Sequence, residues 1–293
     1  MNKHVVLALG LLLLSTQAVA KHNIWSYEAN NIGVTQDGNR DSYLDFNLSV
    51  LYPLSQNSKH SPHSTGLFFA FSLRFGQNIN NKRSDPVEGK RFSPKIFYRR
   101  TLSAKEYIDL GFVHESNGQH ISKQEDYIDQ LQIEDKPEYA DDHLSRAWDY
   151  LSIDFKVDLI KRTSNLIDWS PSIVAKSTSH FHLTYYIPSG PLQGNAEEYR
   201  AWEENNEGKP RRYVSGLKFK TKYVYDDHYQ YTATIETGYS RPLRYNTYRL
   251  QISSKRLLNL PLMIWVAYGY NSDLARYYQK TRSVGFAVEI DKF

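Results

Sequence analysis

The sequence predicts an all-β chain folded as a transmembrane antiparallel β-barrel of about twelve strands. Three observations lead there. Apolar residues recur at every second position through about ten to twelve segments beyond residue 41, with no sustained helical period. The segments run to roughly ten residues, whereas soluble strands usually have about 5–6. Tyr and Trp crowd the segment ends, as in the aromatic girdles at a bilayer surface (Tyr223 and Tyr225, Tyr268 and Tyr270, Tyr277 and Tyr278).

The elements follow in chain order. Residues 1–20 carry Lys3, an apolar run from Val5 to Leu14 and the small-x-small pattern Ala18-Val19-Ala20, which predicts a cleaved export signal with the mature chain starting at Lys21. Residues 21–293 then read as one barrel domain, with no internal repeat or boundary. Among 293 residues 40% are hydrophobic and none is Cys, which excludes disorder, disulfide scaffolds and cysteine-ligated metals. Beyond residue 20 no apolar run is long enough for a membrane helix. The net charge of +4 is too small to imply a nucleic-acid partner.

Leu44, Phe46, Leu48, Val50 and Tyr52 share one strand face, with Asp45, Asn47 and Ser49 on the other. Leu67, Phe69, Phe71, Leu73 and Phe75 repeat the pattern. So do Tyr231, Ala233 and Ile235, then Tyr248, Leu250 and Ile252, then Leu262, Ile264, Val266 and Tyr268, and finally Val284, Phe286, Val288 and Ile290. A soluble sandwich also alternates, but strand length, charged inner faces and aromatic ends favour the closed barrel. Closure satisfies every backbone polar group, as hydrocarbon demands. An aromatic, Phe293, ends the chain, out of phase with the last apolar face.

One strand pair breaks the pattern. In segment 106–118 the apolar face Ile108, Leu110 and Phe112 continues into His114 and Ser116. In segment 146–159 the face Leu151, Ile153, Phe155, Val157 and Leu159 extends backwards to Asp149 and Ala147, while Ser152, Asp154, Lys156 and Asp158 face the bore. A His, a Ser and an Asp therefore project from the lipid-facing side, each at the loop end of its strand. Paired antiparallel, the strands bring them together near the membrane surface, where polar groups cost least. The chemistry is that of a serine hydrolase, with Ser116 as nucleophile, His114 as base and Asp149 orienting His114. The backbone N–H of Asn117 or Gly118 is the candidate oxyanion donor. A passive porin-like barrel is the competing reading, under which these residues are interfacial decoration.

The blocks H-E-S-N-G at 114–118 and S-R-A-W-D at 145–149 resemble the paired signature of the outer-membrane phospholipase A family of Gram-negative bacteria. Tyr268-Gly269-Tyr270, Thr281-Arg282 and Val284-Gly285 are similar in order to that family's last strands. The resemblance implies a calcium-dependent, homodimeric outer-membrane enzyme that hydrolyses phospholipid acyl esters, with A1, A2 and lysophospholipase activity. It matches Ser116 to the nucleophile, His114 to the base and Asp149 to a position where the family usually has Asn. For Ca²⁺ it points to the Gln119 carbonyl and the Ser145 hydroxyl, with Ser84 contributed by the second subunit and Asp85 as its neighbouring alternative. The loop between the blocks is longer here than the family's.

Two long polar stretches read as solvated extracellular loops. Residues 119–144 hold eight acids against two bases, at spacings that match no EF-hand. Residues 191–212 are rich in Glu, Asn and Arg. His180 and His182 share a strand face without a third metal ligand nearby in sequence, and read as lumen or interface residues. For an acyl-chain groove the sequence suggests Phe92 and Phe71.

Overall fold

A computed structural model describes residues 24–38, 42–79, 87–133, 140–164, 173–187, 192, 209–225, 228–254 and 261–290. The proposed leader at 1–20, Ser84, Asp85 and Phe293 lie outside the described residues.

Twelve strands close on themselves: β1 (Asn31–Asp37), β2 (Ser42–Pro53), β3 (Gly66–Asn78), β4 (Val87–Thr101), β5 (Tyr107–Ser116), β6 (Ala147–Ser164), β7 (Ile173–Tyr186), β8 (Gly216–Tyr225), β9 (Tyr229–Gly238), β10 (Thr247–Ser254), β11 (Leu262–Gly269) and β12 (Thr281–Glu289). Every strand pairs antiparallel with its sequence neighbours, and β1 meets β12 to seal the cylinder. A sandwich has free edges, so closure rejects it. The acidic connection 117–146, expected as a solvated loop, contains a helix, α1 (Gln124–Ile133), with no buried residue.

Side chains sort by parity, because successive residues of a strand point to opposite faces. Leu44, Leu48 and Val50 on β2, Leu250 and Ile252 on β10, Ile264 and Val266 on β11, and Val284 and Phe286 on β12 are exposed on the outer wall. Asp45, Ser49, Lys95, Arg99, Asp109, Glu115 and Ser152 point inward and are buried. The connections at the end carrying both termini are mostly short, such as 102–106 and 226–228, and those at the other end include 117–146 and 187–215. Short turns face the periplasm and long loops the exterior in such barrels. The protein is a bacterial outer-membrane β-barrel.

The bore is filled from both ends. At the loop end Trp148, Tyr186, Val214, Leu274, Tyr277 and Tyr278 form a buried cluster, and Trp148 meets Tyr277 edge to face at 5.4 Å. Toward the other end the segment before β1 packs inward, with Trp25 and Tyr27 against Leu51, Phe68, Ala70 and Phe97. Trp25 and Leu51 exchange backbone hydrogen bonds of 3.1 and 2.6 Å. These contacts anchor the segment that leads into β1.

Candidate active site

β5 and β6 pair so that His114 lies opposite Asp149 and Ser116 opposite Ala147. Across the other edge of β5, Ser116 faces Phe92 of β4. Along β5 the bore-facing Asp109, Val113, Glu115 and Asn117 are buried, while Leu110 is exposed and Phe112, His114 and Ser116 are half-buried. Both polar residues therefore continue the outer face.

The His114 Nδ1 atom lies 2.7 Å from Asp149 Oδ1, within hydrogen-bonding distance. Asp149 shares the outer face yet is completely buried. The start of the β7–β8 connection covers it. The backbone N–H of Leu192 donates to Asp149 Oδ2 at 2.7 Å, and that of Ile187 donates to the Asp149 carbonyl at 2.9 Å. Both carboxylate oxygens thus have donors, which is what allows a charge to be buried beside lipid. No residue pattern marks Leu192, because a backbone donor from a distant loop leaves no trace in residue type.

Ser116 has no hydrogen-bond partner for its hydroxyl among the described residues. Its side chain is two residues from His114 on one strand face, so rotation about χ1 is the motion available to bring Oγ toward the imidazole.

Asn117 staples the loop shut behind the site. Its side-chain amide donates to the Leu144 carbonyl at 2.7 Å, and its side-chain oxygen accepts from the Arg146 N–H at 2.9 Å and the Gln119 N–H at 3.3 Å. Its backbone N–H donates to the Arg146 carbonyl at 3.1 Å, so of the two expected oxyanion donors Asn117 is already committed. Gly118 is exposed, at φ +61°, and its N–H is the uncommitted donor of the pair. A Cβ at 118 would lie 3.1 Å from the Phe92 ring, so glycine is favoured there on two grounds. The Asn-Gly pair was the available sequence clue to this turn.

The staple holds Gln119 and Ser145 on the two chain ends that enter and leave the acidic loop. Next to them Ile121 bridges Leu144, and the Ser145 N–H donates to the Ile121 carbonyl at 2.9 Å. Gln119 and Ser145 are both half-buried. Their neutral, hard oxygens suit Ca²⁺, which takes six to eight oxygen ligands. Among the described residues no group of three or more His, Asp or Glu is arranged to hold a metal. The expected third donor, Ser84, lies outside them.

Behind the wall the support is ionic and aromatic. Glu115 points inward between Arg91 at 3.2 Å and Arg211 at 2.5 Å. The Arg211 guanidinium stacks on Trp148 at 4.3 Å. Burial pulls the pKa of Arg211 down, but the Glu115 carboxylate more than reverses this and holds it above the ordinary arginine value. His182, read from sequence as a lumen or interface residue, contacts Asp154, which also pairs with Lys95 at 2.5 Å. His180 faces the same bore.

A shallow apolar recess of about 600 Å³ lies on the outer wall below His114, lined by residues that include Leu67, Tyr98, Leu110, Phe112, Leu151 and Tyr185. Phe92 and Phe71 do not line it: Phe92 sits beside Ser116 and Phe71 pairs with Pro94 higher on β3.

No family model and no curated protein matches this sequence. Solved structures do. Outer membrane phospholipase A from Escherichia coli aligns over 92% of this chain and 100% of its own, at TM-score 0.61 and 16% identity. The Salmonella typhi outer membrane phospholipase, a dimer with bound calcium, aligns over 92% of this chain and 94% of its own, at TM-score 0.59 and 17% identity. An active-site mutant of the Escherichia coli protein aligns at TM-score 0.60 and 15% identity, over 91% of each chain.

Proposed function

We propose that this chain, which has the fold of outer membrane phospholipase A, is a calcium-dependent hydrolase of phospholipid acyl esters with Ser116 as nucleophile. The observation that carries the reading is the His114–Asp149 pair, 2.7 Å apart on the outer wall and two residues from a hydroxyl. His114 and Ser116 remain partly exposed on the wall that faces lipid, so lipid is what they meet.

The Ser116 oxygen attacks the ester carbonyl carbon while His114 Nε2 takes the hydroxyl proton. Asp149, accepting from Nδ1–H, fixes the tautomer that leaves Nε2 free and offsets the imidazolium charge. The Gly118 N–H donates to the oxyanion. Collapse breaks the ester C–O bond, and the alcohol of the lysophospholipid leaves with the proton from His114. Water then attacks the acyl-enzyme, giving its proton to His114, and the fatty acid departs as Ser116 regains its hydrogen. Calcium, when bound, would be held by the Gln119 carbonyl, the Ser145 hydroxyl and Ser84 of a second subunit, and would supply Lewis-acid stabilisation of negative charge developing on the ester. The apolar recess on the same wall suits an acyl chain. A second subunit docked on this wall would turn the shallow recess into an enclosed groove, which supports an active homodimer.

The test is fatty-acid release from detergent-dispersed phospholipid, with Ca²⁺ or with chelator, for wild type and Ser116→Ala. Calcium-dependent release by wild type alone is expected; equal release by both proteins removes Ser116 from the chemistry. The porin reading predicts stepwise ion conductance in planar bilayers, and the buried aromatic cluster across the loop end of the bore argues against it.

A further inference from the structure

The N-terminal segment packs against β2, β3 and β4, and the bore face of β6, β7 and β8 is basic. On β6, β7 and β8 the bore-facing positions Lys156, His180 and Lys220 lie directly opposite one another in register. Lys222 follows Lys220 on the same face, opposite Thr178 and Thr232. Lys156 and Lys220 flank His180 from the two neighbouring strands, and charges of one sign gathered between low-dielectric walls repel, so a row of this kind needs compensation.

The described residues supply little. Lys220 is exposed although it faces the bore, so water reaches it there. Lys218, Lys222 and Arg249 surround it, with Glu28 of the N-terminal segment opposing them. Glu28 is itself exposed. Lys156 has Asp158 near it, but also Arg99, Lys222 and Lys105. Asp158 accepts from the Thr178 hydroxyl at 3.1 Å. The other nearby carboxylates are engaged: Asp154 by Lys95 and His182, Asp109 by Arg99, and Glu236 by Ser215, Asn271 and Lys218. No ion pair is formed by Lys156, Lys220 or Lys222 among the described residues. Lys105 stands in the turn between β4 and β5, which places the basic side toward the end that carries the termini.

We propose that this half of the bore is a binding site for a soluble phosphate-type anion, entering from the periplasmic end and held by Lys156, Lys220 and Lys222. Three ammonium groups on a fixed sheet, within low-dielectric walls, focus positive potential on one hydrated volume. A compact polyanion such as pyrophosphate matches them as point-charge ligands. A phospholipid headgroup carries similar chemistry, but its acyl chains confine it to the outer wall. The site does not rest on the hydrolase reading.

The test uses the full chain in zwitterionic micelles, titrated with pyrophosphate by calorimetry at constant ionic strength. Wild type and Ser116→Ala are expected to bind alike. The double variant Lys220→Gln/Lys222→Gln is expected to bind at least tenfold more weakly, and Lys123→Gln, in the exterior loop, unchanged. Absence of binding by wild type, or equal binding by the double variant, overturns the proposal. The double variant's own thermal unfolding guards against misfolding: removing repulsion should leave its Tm unchanged or raised without anion, and wild type should gain more Tm than the variant when pyrophosphate is added. If anionic-lipid micelles compete pyrophosphate away, the bore is not its site and the proposal also fails.

Discussion

Two stretches of the outer wall obey the same period and end differently. On β10 and β11 the outward residues Tyr248, Leu250, Ile252, Ile264 and Val266 are 46–59% exposed, all aliphatic or aromatic. On β5 and β6 the outward series begins the same way, with Leu110, Leu151 and Ile153 exposed, then turns to His114, Ser116 and Asp149 at the loop end. The contrast shows what such a wall needs before it can carry chemistry. The polar residues sit at the rim, where they cost least. Asp149 is saturated by donors and sealed from lipid, and the strand behind is braced by Glu115, Arg211 and Trp148. Behind Ile264 and Val266, Trp265 packs inward with Met263 and Ala287 under the Arg249 guanidinium at 3.9 Å, but among the described residues no ion pair like Glu115–Arg211 completes that support.

The sharpest way to break this comparison is to remove the hydroxyl. Ser116→Ala should lower kcat by about 10³-fold or more, roughly 4 kcal/mol, with unfolding unchanged. If fatty-acid release survives, the two walls do not differ in function. The bracing is tested next. Glu115→Ala leaves Arg211 buried without its carboxylate and should cost about 3–5 kcal/mol in urea unfolding from micelles, whereas Ile264→Ala on the plain wall should cost far less. Asp149→Ala should reduce kcat about 10²-fold or more with little change in KM, while Asp149→Asn keeps an acceptor for Nδ1 and should stay within about tenfold of wild type. A full-rate Asp149→Ala enzyme would dismiss the orienting role. The smallest effect is expected at Gly118→Ala, where a left-handed φ of +61° costs a side chain about 1–2 kcal/mol and the Phe92 ring must move. The measurement is kcat alongside Tm, and a loss confined to Tm would deny Gly118 a part in the site.

Much of this was legible in residue order because strand facing is a local property. Alternation places Leu44 to Tyr52 outward and Asp45 to Ser49 inward whatever the neighbouring strands do. β1 was harder to read: only Ile32 and Val34 mark its outer face, too short a run to register as a strand without β2 and β12 beside it. Of the site, the residue types and their shared face could be read, since i and i+2 lie on one side of any strand. Other parts could not. Asn117 reads as a turn residue and becomes the staple of the 117–146 connection, and its backbone N–H, a candidate oxyanion donor, is taken by Arg146.

What residue order determined by itself is the barrel: period two, strand length and the face on which His114, Ser116 and Asp149 lie, all fixed by geometry within a single strand. Tertiary structure alone decided which groups meet across distance. The β5–β6 register sets His114 against Asp149, Leu192 reaches over to the carboxylate, and Trp25 and Tyr27 pack into the bore against Leu51, Phe68 and Phe97. Those contacts join residues far apart in the chain, 35 positions for His114 and Asp149 and 43 for Asp149 and Leu192, and their partners include backbone N–H groups that every residue type carries alike, so only the folded chain could select them.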